Sequence, residues 1–132
     1  MEIHLKIIGW ILIILALVHG IFPSYFDWKK EFKNVSLINR EMMYVHTFFI
    51  ALMVLLMGIL CTTSAAEIVS TKLGKNVSLG LSIFWTTRLI IQFFGYSSTL
   101  WKGKTFETIM HILFTCLWAY LSIVFFLVWQ GV

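Results

Sequence analysis

The chain has 132 residues, is 60% hydrophobic and only 12% charged, and carries a formal net charge of +4. A soluble domain is about 45–50% apolar and roughly 25% charged. A soluble globular fold, a disordered chain and a secreted disulfide scaffold are therefore excluded, and a small integral membrane protein is expected.

A transmembrane helix needs about 20 mostly apolar residues, so four spans with short loops would use up the chain. The first apolar run covers about Ile3–Phe22. It begins like the n- and h-regions of a signal peptide, but no small-x-small cleavage site follows, so a retained helix ended by Pro23 is expected. The segment Ser24–Glu41 mixes Tyr25, Phe26, Trp28 and Phe32 with Lys29, Lys30, Glu31 and Lys33. That mixture suits a short helix lying at the lipid headgroups.

The second span is expected over about Met42–Cys61 and the third over about Leu79–Tyr96, with a loop at Thr62–Ser78 between them. The short connection Ser97–Thr105 then makes the third span an antiparallel hairpin with the fourth, about Phe106–Trp129. Runs of this length without strict alternation are helices, because the backbone must satisfy itself in lipid. The expected fold is all-α, a single four-helix transmembrane bundle over residues 1–132 with both termini on one side, in a multi-pass cell-membrane protein.

Six lysines and arginines flank the first and third loops, against three on the opposite side, leaving out Arg88 inside a span. The positive-inside rule puts those two loops in the cytoplasm and both termini outside. The pentapeptide K-N-V-S-L occurs at Lys33–Leu37 and again at Lys75–Leu79, each time before an apolar segment, as helix capping requires. His46-x-x-Phe49-x-x-Leu52 is echoed by His111-x-x-Phe114-x-x-Leu117, which raises an old duplication of a two-helix unit. Cys61 and Cys116 fall in apolar runs without metal-ligand spacing and read as buried free thiols. Ala16 and Gly20, with Gly9 on a similar face, favour close helix packing or a homodimer.

Polar groups in hydrocarbon are costly and mark function. His19 lies near the end of the first span, and His46 and His111 near the starts of the second and fourth. At 1.5 Å rise per residue all three come roughly 4–8 Å inside one membrane face. Arg88 and Gln92 share a helix face four residues apart, and Tyr96 continues it one turn later. This set points to a cofactor. Haem b would take axial histidines from facing helices, His46 and His111 being the best pair, against an aromatic lining of Phe22, Phe49, Phe93, Phe114 and Trp118.

A transition metal (copper, iron or zinc) would use His19, His46 and His111, with Met42, Met43 and Met110 nearby to favour Cu(I). A quinone or small anionic headgroup would use Arg88, Gln92, Tyr96 and a histidine. The leading functional expectation is a redox-cofactor or metal-binding membrane protein serving electron transfer or cofactor handling. The alternatives are a non-catalytic accessory or assembly subunit of a larger membrane complex, and a small-solute or proton pathway. The lysines sit in short loops beside apolar segments, so the partner is the bilayer rather than nucleic acid.

Overall fold

The structure is a computed structural model, and it describes residues 1–95 and 103–132. Among the described residues the chain is helical, without strands: α1 (Glu2–His19), α2 (Phe22–Tyr25), α3 (Trp28–Glu31), α4 (Leu37–Thr63), α5 (Ala65–Ser70), α6 (Lys72–Phe94) and α7 (Thr105–Gln130). Four of these, α1, α4, α6 and α7, are long and apolar enough to cross a membrane.

Local chemistry explains where the helices depart from the sequence expectation. The first helix stops at His19, before Pro23, and Pro23 instead occupies the first turn of α2, where its missing N–H costs nothing. The expected single interfacial helix is two one-turn helices, broken at Asp27, which takes a left-handed φ of 51°. The second span begins at Leu37, because the Ser36 hydroxyl accepts the Asn39 N–H at 3.4 Å and caps the helix there. The first K-N-V-S-L copy thus caps as expected. The second does not: Thr71 accepts the Gly74 N–H at 2.9 Å, so α6 starts at Lys72 and the second copy lies inside it. The expected loop at 62–78 carries α5 as well. Gly74 makes this junction possible, since a Cβ there would stand 2.5 Å from the Ile68 carbonyl oxygen.

The chain forms two compact units. The first covers Ile3–Ala65. In it α1 and α4 run antiparallel: Gly9 meets Thr62 and Gly58, and Ile13 meets Gly58, so the partner number falls as the α1 number rises. The approach is backbone to backbone. A Cβ on Gly9 would stand 2.8 Å from the Gly58 carbonyl oxygen, and one on Gly58 would stand 2.7 Å from that of Gly9. Small residues that let backbones touch are the usual basis of helix association in lipid. Gly20, expected in the same stripe, lies just past the end of α1, where a Cβ would meet the Leu17 carbonyl oxygen at 3.3 Å and, among the described residues, no second helix. Leu5, Ile8, Leu12, Leu15 and Ala16 form the buried face of α1. Trp28, Phe32 and Tyr44 form an aromatic cluster that ties α3 to α4, with Trp28 and Tyr44 centroids 5.4 Å apart.

The second unit covers Ala66–Val132 together with Met1–Glu2. Its centre is an antiparallel pairing of α6 and α7. Ser82 meets Ser122, Trp85 meets Trp118 and Gln92 meets His111, again with one number rising as the other falls. The Ser82 hydroxyl donates to the Ser122 carbonyl at 3.1 Å across the pair. The hydroxyls of Ser78 and Ser122 donate instead to carbonyls one turn back, of Gly74 and Trp118. All three serines are buried, and their small size lets the helices close around two indoles. Both cysteines are free, but only Cys61 is buried; Cys116 lies on the outward face of α7, exposed.

Candidate functional site

The hairpin of α6 and α7 brings together three of the expected site residues. Gln92 stands at the centre, buried, on the same face of α6 as Arg88 one turn before it. The Arg88 Nη1 donates to the Gln92 Oε1 at 3.2 Å. That bond fixes the amide orientation, because the opposite one would set an NH₂ against a guanidinium. Gln92 therefore turns its Nε2 to His111 and donates to the ring Nδ1 at 3.1 Å. An Nδ1 that accepts carries no proton, so neutral His111 holds its proton on Nε2. A cation, an amide and an imidazole are thus aligned, and the cation sets the tautomer two residues away.

Aromatic rings form the floor. The Arg88 guanidinium carbon lies 5.1 Å above the Trp118 ring centroid, within cation–π range. Trp118 stacks on Trp85 at 5.1 Å and 9° from parallel, and Phe114 stacks on Trp118 at 5.6 Å and 19°. Phe93 meets the His111 ring edge-on at 6.5 Å. The Nε1 atoms of Trp85 and Trp118 are buried without a hydrogen-bond partner among the described residues. Buried donors without acceptors are rare and call for an explanation.

The sequence singled out Arg88, Gln92 and His111, and Trp118 as part of an aromatic lining, but missed that Trp85 stacks on Trp118 beneath them. Its signal was present: Trp85, Arg88 and Gln92 recur at helical spacing on α6, as do His111, Phe114 and Trp118 on α7. Tyr96 lies outside the described residues.

The other two histidines of the expected ligand set belong to the first unit. His19 Nδ1 donates to the Leu15 carbonyl at 2.8 Å, and its ring packs on Phe22 at 4.8 Å. His46 is exposed on α4, and Phe49 near it packs edge-on against Phe48. Among the described residues no group of three His, Cys, Asp or Glu side chains could hold a metal ion.

Hydrogen-bond polarity tests the expected cofactors further. A metal-ligating histidine normally donates its second ring N–H to a carbonyl or carboxylate. His19 has that polarity. His111 has the reverse, with an amide donor aimed at Nδ1 and the proton on the nitrogen a metal would use. Haem b and a transition metal therefore fit His111 poorly, whereas an oxygen acceptor fits it well.

No protein-family model, no curated protein and no solved structure matches the chain.

Proposed function

We propose that the chain is a small multi-pass membrane protein that binds a quinone-type redox ligand at the α6–α7 hairpin and serves electron transfer or cofactor handling in the bilayer. In this reading the four long helices form one bundle with both termini on the same side. The observation that carries it is the aligned chain Arg88–Gln92–His111 over Trp118.

A quinone supplies two carbonyl acceptors and a flat ring able to carry electrons and protons. Arg88 contributes a permanent charge, and His111 contributes a donor at Nε2. Gln92 keeps both in register. The unpartnered indole donors of Trp85 and Trp118 favour a ligand, or water accompanying it, that brings acceptors into this hairpin. Such a pairing of aromatic surface with a few polar groups is the usual composition of a small-molecule site.

The test is a binding titration of the detergent-purified full chain with a tailless benzoquinone, alongside an absorption spectrum and elemental analysis. Saturable binding that weakens about tenfold in Arg88→Gln and in His111→Leu is expected, the equivalent of losing one good hydrogen bond each. Absence of saturable binding would refute the reading. A Soret band or stoichiometric metal would replace it with the haem or metal alternative.

A second reading has one observation in its favour. The bonds of Arg88, Gln92 and Ser82 described above all close within the hairpin itself, as they would in a non-catalytic accessory subunit whose polar groups only hold two helices together. In that case both variants would lose stability while quinone had no effect on the unfolding midpoint of any form.

A further inference from the structure

We infer that the first unit carries a small-molecule site of its own, which takes a small neutral phenol. The ring lies against Trp28, Tyr44 and Phe48, and the hydroxyl donates to the Nε2 of His19. The pocket lies wholly within Ile3–Ala65 and holds about 280 Å³. That is roughly nine waters at about 30 Å³ each, room for one substituted ring.

The pocket follows from the way the chain turns after α1. That helix ends at His19, Pro23 opens α2, and the left-handed Asp27 precedes Trp28, whose ring meets Tyr44 of α4 at 5.4 Å and 73°. On α4, Tyr44, Thr47, Phe48 and Ala51 recur at helical spacing and form one wall. The site is recessed between elements rather than spread on one helix. Ala16 of α1 and Trp28 of α3 both line it, yet each is only 7% exposed. The alanines at 16 and 51 leave volume that longer side chains would fill.

His19 sets the chemistry. Its Nδ1 donates to the Leu15 carbonyl, so in the neutral ring Nε2 carries a bare lone pair and accepts. Thr47 adds a hydroxyl. Thr62, Thr63, Thr87 and Thr115 each donate to a carbonyl one turn back in their helices. Thr47 makes no such bond among the described residues, and the Trp28 indole N–H has no acceptor there either. No lysine, arginine, aspartate or glutamate lines the pocket among the described residues, so a charged ligand would lose its hydration without a counter-charge. A metal ion would find His19 as its one ligand of the usual kinds. A hydroxyl on a flat apolar ring answers the whole set: it donates to Nε2 and accepts from Thr47 or Trp28. A plain hydrocarbon tail would leave all three unpaired.

The experiment uses the full chain in nanodiscs and a photoreactive diazirine derivative of 4-ethylphenol, with labelled peptides mapped by mass spectrometry. Label is expected on residues 16–28 and 44–51. Unlabelled 4-ethylphenol should remove it at about tenfold lower concentration than 4-ethylanisole, in which a methyl group caps the hydroxyl, the equivalent of one good hydrogen bond. In His19→Phe the two compounds should compete equally. Comparing their ratio between chains cancels their unequal partition into the bilayer. Thr47→Val should narrow the ratio in the same direction, and serves as the test should His19→Phe fail to fold.

Equal competition by the two compounds in the unaltered chain would assign the pocket to a lipid tail and overturn the inference. A ratio left unchanged by both substitutions would overturn it too, since His19 and Thr47 would then not be reading the hydroxyl. Label spread over all lipid-facing segments would mean that the pocket holds no phenol at all.

Discussion

Gln92 is the point at which the hairpin can be cut most informatively. Replacing it with Leu keeps volume and apolar burial while removing two hydrogen bonds, at 3.2 Å to Arg88 and 3.1 Å to His111. In soluble proteins a bond to a charged group contributes about 1.5–3 kcal/mol and a neutral one about 0.5–1.5 kcal/mol. Interhelical bonds in membranes are weaker, averaging about 0.6 kcal/mol. Arg88 also keeps its contact with the Trp118 ring. A net loss of about 1–3 kcal/mol is therefore expected for Gln92→Leu, read from equilibrium unfolding in mixed micelles.

The sharper prediction concerns coupling. Arg88 and His111 are linked through the Gln92 amide, so the double-mutant cycle of Arg88→Met with His111→Leu should give about 0.5–1 kcal/mol of interaction energy. The same cycle built on Gln92→Leu should give none within error. Coupling of equal size in both backgrounds would mean that Arg88 acts on His111 by another route. The cation would then not be what fixes the His111 tautomer.

Other substitutions test the framework. Gly9→Ala should destabilise by about 1–3 kcal/mol through overpacking against the α4 backbone, whereas Gly80→Ala, with open space around its Cβ, should be neutral or slightly stabilising in the same unfolding assay. Asp27→Val should cost about 1–2 kcal/mol, because a β-branched side chain resists the left-handed backbone there, and Asp27→Asn should leave the midpoint where it is. Ser82→Ala should cost more than Ser122→Ala, by about 0.6 kcal/mol, since only the Ser82 hydroxyl bridges two helices.

Much of this architecture is legible in the sequence because hydrocarbon makes polar residues conspicuous. Arg88 and Gln92 stand four apart in an apolar run and so share a face whatever their neighbours do. Length and hydropathy likewise mark the four long helices. Register is another matter. Facing apolar surfaces carry no code comparable to a charge pair, so nothing in the residues says that Trp85 rather than Phe84 meets Trp118. The start of α6 was hidden for a related reason. Lys75, Asn76 and Ser78 lower the local hydropathy and read as a loop, yet a helix capped by Thr71 runs through them, since a helix does not end where apolar sequence does. The tautomer of His111 lay beyond any sequence reading, being set by a neighbour's neighbour. His46, grouped with His111 by depth and motif, is exposed on α4, because depth along a helix says nothing of azimuth around it.

Apart from Met1–Glu2, which belong with the second, the two compact units are consecutive stretches of chain, Ile3–Ala65 followed by Ala66–Val132. Every side-chain bond described in the α6–α7 hairpin forms between residues made after the first unit is finished. Contacts between near neighbours in sequence form quickly, and units completed earlier in synthesis fold first. During biosynthesis the Gly9–Gly58 crossing can therefore close while Arg88 is still on the ribosome. The polar chain that needs Arg88, Gln92 and His111 together is assembled last, after that helix pair has closed.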